Sequence, residues 1–381
     1  MALAIAPELL LALTGLNASQ LQELLAKLPP QDLLELPKLA QHLEGAGHLT
    51  AYQAGHLAEG RGEGLLVGQY VVLDELGHGS MGMVYQVRHR IMRRKAALKV
   101  FTPDSADSEN YTRFMREIQA TAQLDHPHLI KAYEAGEYHG AYFLAMEYVD
   151  GQNLQEKTER EGPLPVPLAL QCFMEAATGL GYAHGLGMVH RDVKPGNIML
   201  GKDGRVRVLD LGLVKFLRGI SNMATSLDGS VRGTAAYMSP EQAISIRYAD
   251  HRSDIYSLGS SLFFVLTGRA MFPEKTVMQQ LLAHQKKPAP SLLTLNSQIP
   301  PYLDQLYLQM VAKNPDERPQ SMAEVVSGLK AILQGGKPRS LQPAAPTQAL
   351  PATSELKTEP RGNQTTWRNL FPFWRDKPKD S

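Results

Sequence analysis

Apolar residues in the first part of the chain recur every three to four positions, the period of a helix with one buried face. Leu21, Leu24, Leu25 and Leu28 follow a capping group at Asn17-Ala18-Ser19 and stop before Pro29-Pro30. A second helix is expected from Gln31 to about His42, closed by Gly45 and Gly47, and Leu49 to Gln53 forms another capped turn ahead of the glycine-rich Gly60 to Gly64. The greasy start, Met1 to Leu13, has no basic leader and carries Pro7 and Glu8, so it is read as a helix of a soluble protein rather than a signal peptide. From Tyr70 the period drops to two. Val84, Gln86 and Arg88 alternate with Tyr85, Val87 and His89, and Lys95 to Phe101 is an apolar run with one charge inside it, Lys99. Phe114, Ile118 and Ala122 then return at helical spacing, two strands follow at Lys131 to Glu137 and Tyr142 to Tyr148, and helices dominate from Val166 through His184 onward. Ile255 to Leu266 and Ser321 to about Leu333 are the later apolar helices, and beyond Gly335-Gly336 the chain turns rich in Pro, Thr and Gln and cannot bury much surface.

A chain of 381 residues exceeds what one core usually organises, so two lobes or domains plus appendages are expected. Lys and Arg number 39 against 38 Asp and Glu, so no bulk field recruits nucleic acid or an anionic membrane and partners must be chosen by local sites. The single cysteine, Cys172, excludes an intrachain disulfide and multi-cysteine metal sites and fits a reducing compartment; its neighbours Leu170 and Phe173 place it on a buried helix face as an inert core residue. Ile255 to Leu266 is too short to span a bilayer and is interrupted by Ser257, Gly259, Ser260 and Ser261, so no transmembrane segment is expected.

Chemistry concentrates in one stretch, His190-Arg191-Asp192-Val193-Lys194-Pro195-Gly196-Asn197-Ile198-Met199-Leu200, with Asp210-Leu211-Gly212 one hairpin later. Two acids, an amide and an ammonium between apolar runs suit a site that binds Mg²⁺, holds polyphosphate and accepts a proton from a hydroxyl. A second polar signal is Leu76-Gly77-His78-Gly79-Ser80-Met81-Gly82-Met83-Val84, a G-x-G-x-x-G-x-V run whose glycines let backbone N–H groups close over phosphates. Dinucleotide-binding folds use a similar run, but there a helix follows the last glycine, whereas here the chain continues as a strand.

These motifs resemble the H-R-D-x-K-x-x-N catalytic loop, D-x-G metal triplet and glycine-rich loop of protein kinases, and the chain from about Gln69 to Leu333 resembles a eukaryotic-like bacterial serine/threonine kinase. The resemblance implies the α+β, two-lobed kinase fold, with a small antiparallel sheet and one helix over a larger, mainly helical lobe. It implies ATP as phosphoryl donor and Mg²⁺, or Mn²⁺ in its place, as the metal. Asp192 would orient the substrate hydroxyl, Lys194 would neutralise the moving phosphate, and Asn197 and Asp210 would hold the metal. Lys99, fixed by Glu117, would sit on the α- and β-phosphates. Leu76, Gly77, Gly79, Gly82, Val84 and Ala97 would cover the nucleotide from one side and Met199 from the other. Met146 would stand at the back of the pocket, and the segment from Glu147 to Val149 would pair its backbone with adenine. Glu241 of Ser239-Pro240-Glu241 would pair with Arg318, and Asp254 would hold the backbone near His190 and Arg191. Leu211 replaces the usual phenylalanine of the metal triplet, and Lys194 with Gly233-Thr234 matches the serine/threonine branch.

Three domains are expected: a small helical N-terminal module over residues 1–64, the kinase domain over 69–333 and a Pro-rich tail over 334–381. The module offers no chemistry and is taken as a docking or packing element, with autoinhibition as the alternative. In the tail, Trp367, Leu370, Phe371, Phe373 and Trp374 lie among Arg368, Arg375 and Lys377, compatible with a protein partner, with folding back, or with a weak interfacial anchor; a protein partner is the preferred reading. Many relatives of this type continue into a membrane span, a layout this chain departs from, so a cytoplasmic protein acting on Ser and Thr of protein substrates is expected. A catalytically silent scaffold would be signalled by loss of Lys99, Asp192 or Asp210, and all three are in place. In the activation segment, Asp228 stands where relatives carry a phosphothreonine, with Thr225, Ser226 and Ser230 close by.

Overall fold

The computed structural model describes residues 3–79, 82–101, 121–211, 234–245 and 248–337; Glu117 and the segment holding Thr225, Ser226, Asp228 and Ser230 lie outside them. The described residues form two compact units, one from residues 3–101 and 133–148, the other from 121–132 and 149–337.

The first unit opens with four helices, α1 (Pro7–Thr14), α2 (Ala18–Ala26), α3 (Leu36–Gly45) and α4 (Ala51–Ala58). Capping boxes start two of them: Asn17 accepts from the Gln20 amide at 2.8 Å and Thr50 from the Gln53 amide at 3.1 Å, and each glutamine side chain accepts in return. The helix expected from Gln31 begins later, at Leu36, behind a 3₁₀ turn over Asp32–Leu34. Pro37 explains this. It lacks the N–H that a helix interior requires but fits the first turn, so the helix can start only just before it.

Strands β1 (Leu66–Val67), β2 (Tyr70–Gly79), β3 (Gly82–His89), β4 (Lys95–Phe101), β5 (Ala132–Tyr138) and β6 (Ala141–Glu147) form a sheet in the order β1-β2-β3-β4-β6-β5. Register places Leu98 opposite Tyr85 and Ala145, and Lys99 opposite Val84 and Leu144, so the pleat sorts side chains onto two faces. One face carries Tyr85, Val87, Ala96, Leu98, Val100, Phe143 and Ala145. These share a single apolar core with Leu10, Leu13, Leu39, Leu43 and Leu57 of the four helices. Polar bonds stitch the same contact: Gln53 Nε2 donates to Val72 O at 2.7 Å, Arg88 Nη2 to Leu13 O at 2.8 Å, and Thr50 Oγ1 to Leu73 O. The N-terminal helices therefore pack on the sheet as its cover. The opposite face carries Val84, Ala97, Lys99 and Met146, which leaves β4 buried on both sides.

The second unit holds a small sheet of β7 (Gly151–Asn153), β8 (Ile198–Gly201) and β9 (Val206–Val208), and helices α5 (Leu154–Glu161), α6 (Val166–Gly185), α7 (Pro240–Ile244), α8 (His251–Thr267), α9 (Val277–Lys286), α10 (Pro301–Met310) and α11 (Met322–Leu333). The long helices α6 and α8 run through its core, with Ile255, Tyr256, Leu258, Leu262 and Val265 of α8 fully enclosed. Cys172 is buried on α6, and that burial pushes its thiol up to about 12, so it packs as an apolar residue rather than a nucleophile. Among the described residues no helix is long and apolar enough to cross a membrane.

Candidate active site

In the first unit, β2 and β3 form the hairpin that carries the glycine run, and Gly82 at its return has φ 133°. A Cβ there would collide with the Val100 carbonyl, so only glycine lets β3 approach β4 this closely. Val84 follows on β3, and Ala97 and Lys99 lie beside it on β4, on the sheet face that the helices do not cover. Lys99 is buried, with its ammonium 5.6 Å from the Phe101 ring centroid, while Leu76 is exposed. Met146 is buried opposite Ala97, and Glu147 closes β6.

In the second unit the loop from His190 to Asn197 folds around one carboxylate. Asp192 is buried; its Oδ2 accepts from Lys194 Nζ at 2.8 Å and from Asn197 Nδ2 at 3.1 Å. Asn197 Nδ2 also donates to Asp192 O at 2.8 Å, locking the amide so that its nitrogen faces the loop and its oxygen faces away. Lys194 Nζ donates as well to Thr234 Oγ1 at 3.0 Å, which brings that hydroxyl to the ammonium that holds Asp192. Met199 follows on β8, paired with Asn153 on β7, and Val149 is half-buried just ahead of that strand.

Two residues of this loop region have left-handed backbone, Arg191 with φ 66° and Asp210 with φ 57°. Such conformations cost roughly 1 kcal/mol or more and persist only where their surroundings hold them. Asp254, fully buried at the start of α8, does so for the first: its Oδ2 accepts from the His190 amide and its Oδ1 from the Arg191 amide, both at 2.8 Å. His184 Nε2 adds a third bond to Asp254 Oδ2 at 2.8 Å. Burial pushes the Asp254 carboxyl up, but the His184 bond and the Arg191 amide outweigh it and leave it below its ordinary range. His190 ties the loop to the residue ahead of Asp210. Its Nε2 donates to Leu209 O at 2.7 Å while its Nδ1 accepts from the Asp192 amide at 3.2 Å, which fixes the neutral tautomer carrying its proton on Nε2. Beyond it, Leu211 is buried and its carbonyl accepts from Thr121 Oγ1 at 3.3 Å.

Ser239-Pro240-Glu241 opens α7, with Ser239 as a capping-box residue. Glu241 takes a two-pronged bond from Arg318, Nη1 to Oε1 at 2.7 Å and Nη2 to Oε2 at 2.8 Å. The remaining guanidinium donors go to the carbonyls of Ala312, Arg252 and Lys313 at 2.8, 2.9 and 3.1 Å, so all five are used. Burial raises the Glu241 carboxyl, yet the Arg318 hydrogen bonds and charge, with the Ser253 hydroxyl, bring it net below its ordinary value. A depressed folded-state carboxyl stabilises above the unfolded-state value and loses that contribution as pH falls through the folded one. Arg318→Met is expected to lower stability by about 3–5 kcal/mol at pH 7, because it strands a buried carboxylate. Urea denaturation checks this, and an unchanged midpoint would remove the pair from the scaffold of the loop.

Motif reading missed two contributors here, His184 on Asp254 and Gln242, whose Nε2 donates to Arg191 O at 2.9 Å. His184 lies in no recognisable motif, and Gln242 closes the Ser239 capping box, a pattern that marks a helix start but not a bond to Arg191.

Comparison with known proteins follows the same residues. A family model described as "Protein kinase domain" matches residues 70–328. The chain is 36% identical over 275 residues to "Serine/threonine-protein kinase PknB" of Mycolicibacterium smegmatis, covering 71% of this chain and 44% of that protein. It is 35% identical over 271 residues to "Serine/threonine-protein kinase PrkC" of Bacillus subtilis, covering 71% of this chain and 41% of that protein. With PknB of Mycobacterium tuberculosis the match is 33% over 317 residues, 81% of this chain and 50% of that one. The chain thus spans at most half the length of these curated relatives.

Proposed function

The chain belongs to the protein kinase family, in its eukaryotic-like bacterial serine/threonine branch, and from that premise we propose that it transfers the γ-phosphate of ATP to serine and threonine hydroxyls of proteins. The observation that carries the reading is the Asp192 carboxylate, buried and held by Lys194 and Asn197, with Lys194 also on Thr234. Asp192 accepts a hydrogen bond from the incoming hydroxyl and aims its lone pair for in-line attack; Lys194, already beside it, meets the charge on the moving phosphate. Lys99 holds the α- and β-phosphates, with Glu117 as its carboxylate partner. Leu76, Gly77, Gly79, Gly82, Val84, Ala97 and Met199 enclose the nucleotide, and Glu147 and Val149 frame the backbone that meets adenine.

Asn197 and Asp210 would hold the divalent ion, Mg²⁺ or Mn²⁺. An amide oxygen turned away from its own loop and a carboxylate are hard oxygen donors suited to it. When bound, such an ion neutralises phosphate charge. Two protein oxygens leave the other positions of a six-coordinate ion to phosphate and water.

Residues 69–333 carry this chemistry, residues 1–64 cover the first unit's sheet, and the tail after residue 333 serves docking. Cytoplasmic location and autophosphorylation between Asp210 and Glu241 complete the proposal. The test is incubation of the purified chain with labelled ATP and Mg²⁺ and a generic basic protein, followed by phosphosite mapping. Phosphoserine and phosphothreonine on the added protein are the expected products. Nucleotide binding without transfer would favour the silent scaffold instead.

A further inference from the structure

Between Glu75 and Asp104 the chain has no acidic residue, and its cations gather at the turn joining β3 to β4: Arg90, Arg93, Arg94 and Lys95 around Ile91 and Met92. All six are exposed, and Ile91 at 77% and Met92 at 64% stand almost fully in solvent. For a chain whose charges otherwise balance to +1, this is a concentrated local field with an apolar point.

The turn is built rather than loose. His89 Nδ1 accepts from the amides of Ile91 and Met92 at 3.2 and 3.1 Å, the Arg93 amide donates to His89 O at 2.9 Å, and the His89 amide donates to Arg94 O at 2.9 Å. Arg93 takes a left-handed φ of 59° to close it. Arg94 stacks on Tyr133 with its guanidinium carbon 3.6 Å from the ring centroid, and the Arg93 guanidinium lies against Gly15, where any side chain would collide with it. Two apolar side chains are thereby presented outward on a rigid stem with cations behind them.

We propose that this hairpin tip docks the protein on an anionic lipid surface, with Ile91 and Met92 entering the headgroup boundary and the exposed Arg90, Arg93, Arg94 and Lys95 behind them supplying the positive field. Charge complementarity favours an acidic surface, and the shape selects the lipid. A convex tip led by two apolar side chains offers no groove for a folded partner, whereas an apolar wedge with adjacent cations suffices for interfacial adsorption. The proposal does not depend on the phosphotransfer reading.

Co-sedimentation of the full chain with phosphatidylcholine vesicles containing about 30% phosphatidylserine, at about 0.1 M salt, tests it. Binding is expected to these vesicles and not to pure phosphatidylcholine. Arg90→Glu changes the local charge by two units and should weaken partitioning roughly 25-fold, at about fivefold per charge. Ile91→Ser with Met92→Ser should weaken it about tenfold. Circular dichroism melts of the variants, expected to match the parent because every altered side chain is exposed, verify that the fold is kept. Three results would overturn the assignment: no binding to the anionic vesicles; equal binding of parent and variants, which would move the contact to the basic aromatic tail; or capture of a polyglutamate peptide without vesicle binding, which would make the surface a dock for an acidic protein.

Discussion

Asp192→Asn is expected to lower kcat for protein phosphorylation by about 10²–10⁴-fold, the range for removing a positioned general base, while the KM for ATP stays within about threefold. The asymmetry follows from where the residue sits. Its carboxylate is bonded to Lys194 and Asn197 inside its own loop, and its proposed partner in the reaction is the acceptor hydroxyl rather than the nucleotide. An amide keeps the size and one oxygen, so Lys194 and Asn197 retain an acceptor and the loop keeps its shape, but the group loses its charge and its appetite for a proton. Single-turnover phosphorylation and separate nucleotide-binding measurements resolve the two quantities. Wild-type turnover in this variant would take the catalytic role away from Asp192.

Deletion of residues 1–64 is expected to abolish independent folding of the remainder. The cover it removes is the partner of Tyr85, Val87, Leu98, Val100 and Phe143 across one core. Fully re-exposing side chains of this kind costs about 1.5–3 kcal/mol each, so five of them approach the roughly 5–15 kcal/mol that holds a whole domain together. Arg88 would lose its acceptor at Leu13, and Val72 and Leu73 would lose the donors Gln53 and Thr50. Residues 65–337 alone should aggregate or show no cooperative melt by circular dichroism, and co-expression of residues 1–64 should restore soluble, melting protein. A monomeric fragment melting within a few degrees of the full chain would show that the cover is dispensable.

The contrast between these two predictions marks what could be read from the chain. Asp192, Lys194 and Asn197 are neighbours in sequence, so their chemistry was visible as a motif, and the caps at Asn17 and Thr50 announced helix starts through local bonds alone. The Glu241–Arg318 pair and the Asp254 clamp join distant positions and were reachable only through the family resemblance. The packing of α1–α4 on the sheet was not legible at all. An amphipathic helix and an alternating strand each declare that one face wants cover without saying what provides it, and the apolar stripe of Leu21 and Leu25 fits many surfaces equally well. The late start of α3 was decipherable in principle, since Pro37 forbids a helix from running through it, but the apolar spacing upstream outweighed that signal.

The Asp254 clamp has a consequence in time as well as in geometry. The amides of His190 and Arg191 donate to a carboxylate that is itself enclosed within α8, at the centre of the second unit's core. Protons on those two nitrogens can exchange with solvent only when that core opens, so the strained turn at Arg191 belongs to the slowest-breathing, most cooperative part of the lobe. A loop with irregular backbone thus inherits the lifetime of a buried helix, and the Asp192 carboxylate one residue away is held still without secondary structure of its own.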